Sequence, residues 1–235
     1  METNKKINLV LPIAGLGKRF ADEGYEKPKP LIKFKDDITI LQRSLQSVDI
    51  KSCNLIFIVQ QAHCDQWNID NFITKNYPDS IIIKIDGQTE GALCTVMKAE
   101  NYFKNDNPLC IFTPDCYFEP KIYPQKIKDD GLVCTFTSTS PAHSYVKLNK
   151  QNYITEVKEK EVISNDAIGG FYYWKTGNKF YNYAKQSIEN NDRTKNEFYI
   201  APVFNYLLND GGLISIDRNT YHEILGTPKD LKEYQ

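Results

Sequence analysis

The first 31 residues bring glycines and fixed positive charges together in a pattern suited to binding a polyphosphate. Residues 15–20 read GLGKRF, and two further lysines, Lys27 and Lys29, follow in the segment KPKPL. Glycine lets the backbone bend tightly and turn its N–H groups towards an anion, while Arg and Lys offset negative charge. The segment therefore predicts a site for a triphosphate whose leaving pyrophosphate gathers negative charge.

Two other glycine-rich phosphate motifs fit this segment less well. A Rossmann dinucleotide site requires a third glycine at the position of Phe20 and an acidic residue at the end of the next strand. That strand instead ends in Gln60 and Gln61. A Walker loop needs G-x-x-x-x-G-K-S/T spacing, which is absent. Because a G-x-G pair also occurs in ordinary turns, the prediction depends on the clustered basic residues.

Strand and helix patterns alternate through the first half of the chain. Short apolar runs typical of buried strands lie at 6–13, 54–60, 80–85 and 109–113. Helical spacing falls between and after them, at 40–48, 65–76 and 90–103. This order implies a largely parallel sheet with helices on both faces.

The second half reads as a mixture of strands and helices. Strand-like segments lie at 131–138, 145–148, 153–157 and 168–174, with a last strand at 213–216. Helical segments lie at 179–189, 200–208 and 228–234. With 235 residues and no linker-like tract, we expect one α/β domain with a central, mostly parallel mixed sheet flanked by helices.

Composition excludes several classes of protein. The chain has a net charge of −1 and therefore lacks the excess of basic residues that is typical of nucleic-acid-binding proteins. No apolar run approaches the ~20 residues of a membrane span, and the N-terminus lacks the pattern of a signal peptide. The six cysteines show no C-x-x-C spacing, so zinc is not expected. Reduced thiols and a cytoplasmic location follow as expectations.

The combination of GLGKRF with KPKPL resembles the signature of the sugar nucleotidyltransferases, pyrophosphorylase-like proteins with a GT-A-like, Rossmann-like fold. The resemblance covers nearly the whole chain. The short length of the chain is similar to that of the cytidylyltransferases in this family. It implies one nucleotidyltransferase domain over residues 1–235, with an NTP-binding half at 1–120 and an acceptor-binding half at 121–235.

The resemblance also assigns the nucleotide side of the site. It implies that Arg19 and Lys29 are catalytic and contact the phosphates. It places Gln88, with both a donor and an acceptor, at the base edge, and Gly91 where a base approaches closely. The alternative for this segment is an ordinary helix cap with Thr89 as the N-cap residue, and both roles can hold at once. The nucleotide-binding residues are then Ala14, Gly15, Leu16, Gly17, Lys18, Gln88 and Gly91.

On the metal and acceptor side, the resemblance implies that Asp115 holds Mg²⁺. A hard cation prefers carboxylate oxygen, and ligands lie beyond the carboxyl ends of parallel strands. The implied acceptor-binding residues are Glu159, Lys160, Gly170 and Glu197. For Asp115 an ordinary turn and for Glu159–Lys160 a solvated strand edge remain the alternatives.

Two positions depart from the family pattern. Ile224 stands two residues before Gly226, where a second metal-binding Asp is common, and neither Glu223 nor Asp217 is a secure replacement. Val146 follows Tyr145 where many sugar-directed members have glycine. A larger side chain there would crowd a hexose and indicate an unusual acceptor.

The expected reaction joins the nucleoside monophosphate of an NTP, with CTP favoured, to a small phosphorylated acceptor such as a capsule or surface-polysaccharide precursor. No Ser-His-Asp or Cys-His set stands out, and His63, His143 and His222 read as structural or surface residues. The alternatives are a GT-A glycosyltransferase that consumes a nucleotide sugar and a non-catalytic regulatory module. No nucleic-acid or membrane partner is expected, and a homo-oligomer remains open.

Overall fold

A computed structural model describes residues 6–234, without the side chain of Asp36. Residues 1–5, part of the N-terminus for which no signal peptide is expected, lie outside the described residues. The strands of the described part are β1 (Ile7–Pro12), β2 (Cys53–Gln60), β3 (Ile81–Ile85), β4 (Leu109–Phe112), β5 (Cys116–Glu119), β6 (Gly131–Thr137), β7 (Ser144–Leu148), β8 (Ile154–Glu159), β9 (Asp166–Trp174), β10 (Ile214–Arg218) and β11 (Tyr221–Ile224).

The helices are mostly short. In the same described residues they are α1 (Lys18–Ala21), α2 (Ile40–Leu45), α3 (Gln61–Trp67), α4 (Ile69–Asn76), α5 (Ala92–Met97), α6 (Glu100–Phe103), α7 (Gly177–Glu189), α8 (Phe204–Asn209) and α9 (Pro228–Lys232). Single 3₁₀ turns occupy Lys29–Leu31, Lys35–Asp37, Ile50–Ser52, Pro124–Lys126 and Ala201–Val203. None of the helices described is long and apolar enough to cross a lipid bilayer.

The central sheet has the strand order β10-β6-β9-β4-β1-β2-β3, and β7 and β8 extend from β9. The pairs among β1 to β4 are parallel, as is β10 with β6, whereas β9 runs antiparallel to both of its neighbours. This confirms the predicted α/β fold with a mostly parallel sheet. Because β1 and β4 are neighbours, the loops after them open at the same edge.

Both faces of the sheet are buried. On one face Val10 and Ile111 pack with side chains from α5, α7 and α8, and on the other Leu9 and Phe112 pack with α2 and α4. Alternating residues of one strand therefore enter two different cores, which explains why the strands read as continuous apolar runs.

Two predicted helices are interrupted. The helix expected at 65–76 is divided at Asn68, which adopts a left-handed conformation (φ 50°), and its first part begins earlier, at Gln61. The helix expected at 90–103 is divided near Ala99, where φ is −98° and ψ is 10°. Apolar periodicity continues across both breaks, so the sequence pattern does not reveal them.

The antiparallel pair β5 and β11 is absent from the sequence prediction. It forms a separate two-stranded sheet in which His222 lies opposite Phe118 and Ile224 opposite Cys116. Each strand has only four residues, which is too short for a clear alternation of polar and apolar positions. The predicted strand at 213–216, seen as β10, is therefore not the last one.

Candidate active site

The glycine-rich turn connects β1 to α1. Gly17 is the residue that requires glycine, because it adopts φ 62° at the start of α1. A Cβ built there would lie 3.5 Å from the backbone nitrogen of Lys29, which is an ordinary contact distance. Glycine is therefore needed for the backbone conformation and not because a side chain would lack space. This turn therefore packs directly against the KPKPL segment, as the two adjacent motifs suggest.

A cavity of about 380 Å³ opens between this turn and the end of β4. We call it the loop cavity. Within it, the Lys29 Nζ atom lies 3.3 Å from the Asp115 Oδ2 atom. The predicted residues that line it are Gly15, Gly17, Lys18, Arg19, Lys29 and Asp115. The predicted phosphate-binding cations and the predicted metal ligand thus share one cleft.

Asp115 is fixed by backbone contacts on two sides. Its carbonyl accepts a hydrogen bond from the Leu225 N–H at 2.6 Å, and the preceding Thr113 N–H donates to the Gly170 carbonyl at 3.0 Å. Gly170 adopts φ 82°, and a Cβ there would lie 2.3 Å from Thr113 Oγ1 and 3.3 Å from Asp115 Oδ1. The glycine at 170 therefore allows β9 to approach the Asp115 loop closely.

A second cavity, of about 650 Å³, extends from Asp115 towards β7, β8 and α9. We call it the central cavity. The predicted acceptor residues Glu159, Lys160 and Gly170 line it, together with Arg19 and Asp115. Arg19 and Asp115 thus stand where the loop cavity and the central cavity meet.

Glu159 is held at the end of β8 by a short hydrogen bond from the Ser144 hydroxyl. Burial raises the pKa of this carboxyl, although the Ser144 bond and the Lys160 charge oppose the shift. Lys160 has a left-handed backbone (φ 57°), and its Nζ atom lies 5.0 Å from the centre of the Tyr199 ring. Both side chains therefore face the central cavity in fixed orientations, unlike residues of a solvated strand edge.

A third cavity, of about 390 Å³, adjoins the loop cavity at Pro12 and Gly15. We call it the Gln88 cavity. The predicted residues that line it are Ala14, Gly15, Gln88, Gly91 and Glu197. Glu197, expected on the acceptor side, therefore lines the cavity of Gln88 and not the central cavity. Leu16 is half exposed and lines none of the three cavities in the described residues.

Gly91 is required for a reason that differs from the sequence interpretation. It adopts φ 134°, and a Cβ there would lie 2.3 Å from the backbone oxygen of Phe198. The close approach is therefore made by the backbone of Phe198, which also accepts a hydrogen bond from the Leu93 N–H at 3.1 Å. The predicted capping role of Thr89 is wrong, since Gly91 is the residue at the start of α5.

Gln60 is a site-supporting residue that the sequence interpretation used only to exclude a dinucleotide site. Its Nε2 atom donates to the carbonyls of Ala14 at 2.9 Å and Gly87 at 2.8 Å. It is buried at the end of β2. The sequence does contain a signal for this role, a single amide residue at the end of an otherwise apolar buried strand. A buried amide needs hydrogen-bond partners, so such a residue indicates a structural contact nearby. Gln60 ties the glycine-rich turn to the turn before Gln88.

Glu223 and Asp217, neither of which was a secure replacement for the second acidic residue, do not line the loop cavity or the central cavity. Glu223 is 1% exposed and forms an ion pair with Arg43, with N–O distances of 2.8 and 2.9 Å. Burial acts to raise the pKa of Glu223, but the bonds from Arg43 and Tyr221 outweigh it and leave the pKa below its usual value. Asp217 lines a different cavity, beside Lys121 and Lys128.

Val146 does not crowd the site. Its side chain is fully buried in the core with Ile154 and Val157. The residue of β7 that lines the central cavity is Ser144. The crowding of the acceptor expected from Val146 is therefore wrong, because this side chain is buried in the core and does not line the cavity.

Two of the histidines interpreted as structural or surface residues line the central cavity, namely His143 and His222. Their spacing in the sequence does not indicate that they lie together, because His143 comes from the loop before β7 and His222 from β11, a strand that the sequence did not predict. Asp230, in the first turn of α9, also lines this cavity.

The carboxylate chemistry fits a hard cation, but the described residues offer a sparse set of ligands. They contain no group of three or more His, Cys, Asp and Glu side chains that could hold a metal by itself. Asp115 and Asp230 approach Gly226 from two sides, since a Cβ built at Gly226 would lie 4.0 Å from Asp115 Oδ2 and 3.7 Å from Asp230 Oδ2. A cation here would need oxygen ligands from a bound phosphate as well.

Comparisons with known proteins give a family match and similar folds. Residues 9–235 match the family described as nucleotidyl transferase. A nucleoside-diphosphate-sugar pyrophosphorylase from Vibrio cholerae RC9 has 20% sequence identity and a TM-score of 0.83, over 96% of this chain and 98% of that chain. No curated protein sequence matches this chain.

Two further solved structures have similar folds. An inositol-1-phosphate CTP transferase from T. maritima has 15% identity and a TM-score of 0.73, over 100% of this chain and 95% of that one. A CTP:phosphocholine cytidylyltransferase from Streptococcus pneumoniae has 12% identity and a TM-score of 0.74, over 97% of each chain. At these identities the likeness concerns the fold.

Proposed function

This chain belongs to the nucleotidyl transferase family, and on that premise we propose that it transfers the nucleoside monophosphate of an NTP to a small phosphorylated acceptor. The products are pyrophosphate and a nucleoside diphosphate-linked acceptor. We assign the first 120 residues to NTP binding and residues 121–235 to acceptor binding, within one domain over residues 1–235.

One observation carries the proposal. The loop cavity, which contains Lys29 and the glycine-rich turn, meets the central cavity, which contains Glu159 and Lys160, at Arg19 and Asp115. A triphosphate in the first and a phosphate monoester in the second would bring their phosphates together at this junction. Such positioning is a large part of catalysis for a reaction that joins two substrates.

The chemistry is an in-line displacement. A phosphate oxygen of the acceptor forms a bond to the α-phosphorus of the NTP, and the bond from that phosphorus to the bridging oxygen of pyrophosphate breaks. The acceptor oxygen is already anionic, so no general base is needed. Arg19 and Lys29 would act as catalytic residues by offsetting the charge that develops on the α-phosphate and on the departing pyrophosphate.

Proteins of this family commonly use a divalent metal, and we propose Mg²⁺ held by Asp115. An ion held there would supply positive charge that offsets the negative charge of the phosphates. Lys29, now 3.3 Å from Asp115, would then turn to the phosphates. The chain's own part is to hold Asp115 in place through Thr113, Gly170 and Leu225.

The base would lie in the Gln88 cavity, where Gln88 offers both a donor and an acceptor. Gly15, Gly17 and Lys18 would surround the triphosphate in the loop cavity, and Ala14 and Glu197 would lie beside the nucleoside in the Gln88 cavity. The lining of this cavity does not select one base, so the preference for CTP depends on the similarity to the two cytidylyltransferases named above.

The acceptor class is suggested by the same two proteins, which act on a cyclic polyol phosphate and on the phosphate of a quaternary amine. An acceptor destined for capsule or surface polysaccharide would be activated in the cytoplasm, where NTPs are abundant. A glycosyltransferase that uses a nucleotide sugar remains the second candidate, but it gives no role to Lys29. A non-catalytic binding module gives no role to the shared Arg19–Asp115 junction.

The test is a coupled assay of pyrophosphate release with each of CTP, UTP, ATP, GTP and dTTP, Mg²⁺, and a panel of phosphorylated acceptors. We expect release only with a matching NTP and acceptor. Transfer from a nucleotide sugar without pyrophosphate release would support the glycosyltransferase instead. Binding of NTP without any turnover would support the binding module.

A further inference from the structure

Two imidazoles form one wall of the central cavity. The rings of His143 and His222 flank Phe136, with ring centroids 5.1 and 4.9 Å from it, and all three residues line the cavity. They come from segments 79 residues apart in number, His143 from the loop before β7 and His222 from β11. The wall exists only because β11 packs back beside β5.

The orientation of His222 is set by strand alternation. On β11, Tyr221 and Glu223 point to one side, where both contact the Arg43 region, and His222 and Ile224 point to the other side, into the central cavity. The buried Arg43–Glu223 pair therefore fixes which face of β11 looks into the cavity.

His143 is tied to the predicted acceptor residues. Its carbonyl accepts a hydrogen bond from the Lys160 N–H at 3.0 Å. Burial lowers the pKa of both His143 and His222, which favours the neutral form of each ring, although the charges of Asp115 and Asp230 act in the opposite direction on His143. A neutral imidazole has one N–H donor and one nitrogen acceptor, which is the pair of functions that a hydroxyl group can satisfy.

The aromatic rings in this cavity are already covered. Tyr199 carries the Lys160 ammonium group at 5.0 Å from its ring centre, and Tyr234 carries that of Lys35 at 5.7 Å. Phe136 is flanked by the two imidazoles, and Tyr172 packs on Phe204 at 6.3 Å. A quaternary ammonium group is bound best by open aromatic faces. Lys160 would repel such a group and the carboxylates of Asp115, Glu159, Asp230 and Glu233 would attract it, so the net charge of the lining does not favour it or exclude it by itself. The rest of the polar lining consists of neutral hydrogen-bonding groups, namely Ser138, Ser140, Ser144, His143 and His222.

We propose that His143 and His222 are specificity-determining residues that bind the hydroxyl groups of a polyhydroxylated acceptor, a cyclic polyol phosphate or a sugar phosphate. This inference rests on the proposed function and selects between its two acceptor classes. Glu159 and Ser144 complete the same polar surface. The acceptor phosphate would then lie towards Arg19 and Asp115.

The first experiment measures acceptor binding without NTP. Myo-inositol 1-phosphate, α-glucose 1-phosphate and phosphocholine are titrated into the full-length protein by calorimetry. We expect at least one of the two polyol phosphates to bind and phosphocholine to bind at least roughly tenfold more weakly, since several hydrogen bonds would be lost. Equal or tighter binding of phosphocholine, or no binding of either polyol phosphate, would overturn the proposal.

The second experiment uses the three histidines of the chain as a matched set. His143→Phe and His222→Phe keep a ring beside Phe136 and remove the hydrogen-bonding nitrogens, while His63→Phe alters a half-buried histidine on α3, outside the central cavity. Each cavity variant should weaken binding of the polyol phosphate by roughly three- to tenfold. The affinity for NTP should stay within about twofold.

The outcomes separate this inference from the proposed function. Loss of acceptor affinity in His63→Phe of the same size, or equal losses for NTP and acceptor in the cavity variants, would show a merely structural role and refute the assignment. Polyol binding that depends on both histidines, without pyrophosphate release for any NTP, would refute the proposed function alone. Pyrophosphate release with phosphocholine only would refute the acceptor class alone.

Discussion

The two halves of the molecule build their parts of the site in different ways. On the NTP side, contiguous segments at the ends of neighbouring parallel strands supply the cavity lining, as residues 17–20 and 113–115 do. On the acceptor side, the central cavity collects one to four residues from each of five separate elements, β7, β8, β9, β11 and α9. A site made of contiguous segments is visible in a sequence, whereas a site made of residues from separate elements becomes visible only when the chain is folded.

The comparison predicts that substitutions on the NTP side affect turnover most. Arg19→Ala and Asp115→Ala should each lower kcat by about 10²–10³-fold, because each removes charge stabilisation at the junction of the two cavities. Asp65→Ala, on the exposed surface of α3, is the control. The value of kcat is measured from steady-state pyrophosphate release, and thermal unfolding checks that each variant is folded. Near-normal turnover of either variant would remove that residue from the catalytic machinery.

The second prediction tests whether the acceptor side supports the junction through its backbone. Gly170→Ala and Gly211→Ala introduce a Cβ at similar backbone angles, φ 82° and 76°, so their conformational strain is matched. Only Gly170 lacks room, since its Cβ would lie 2.3 Å from Thr113 Oγ1, whereas Gly211 has nothing within 4 Å. We expect kcat to fall by roughly tenfold or more in Gly170→Ala alone. Equal activity of the two variants would mean that the Asp115 loop tolerates displacement.

The third prediction separates stability from chemistry. Arg43→Met should lower the free energy of unfolding by about 3 kcal/mol, because it leaves the buried Glu223 carboxylate without its main partner. The double variant Arg43→Met/Glu223→Met should regain most of that loss, since an apolar pair can replace a buried ion pair. Urea unfolding measures both. A double variant no more stable than the single one would show that the pair is needed for packing and not for charge compensation.

The smallest expected effect concerns pH. Burial lowers the pKa of His63, His143 and His222. Between pH 7.5 and about 6 the unfolded chain therefore binds protons that the folded chain does not, and the stability falls as pH falls. Unfolding midpoints in urea at the two pH values measure this. His63→Gln should reduce the slope, and a stability that rises towards pH 6 would contradict the prediction.

The sequence was informative where one local pattern served both the fold and the site. The apolar runs of β1, β2 and β4 and the glycine at 17 could be read because a strand and a left-handed turn each leave a local pattern. The roles of Glu223 and Val146 could not be predicted, because each depends on which other parts of the fold pack against its strand. Gly91 and Gly170 were noticed as glycines, but the backbones that approach them, at Phe198 and Thr113, lie far away in the chain.

The alternation along β11 also limits how this chain can vary in length. Neighbouring residues of the strand serve opposite purposes, with Glu223 neutralised by Arg43 and His222 beside Phe136. Inserting or deleting a single residue between Asn219 and Ile224 would exchange the two sides. It would bring a carboxylate into the cavity and leave the half-buried Arg43 guanidinium without its partner. Homologous chains should therefore tolerate substitutions here far more readily than single-residue gaps.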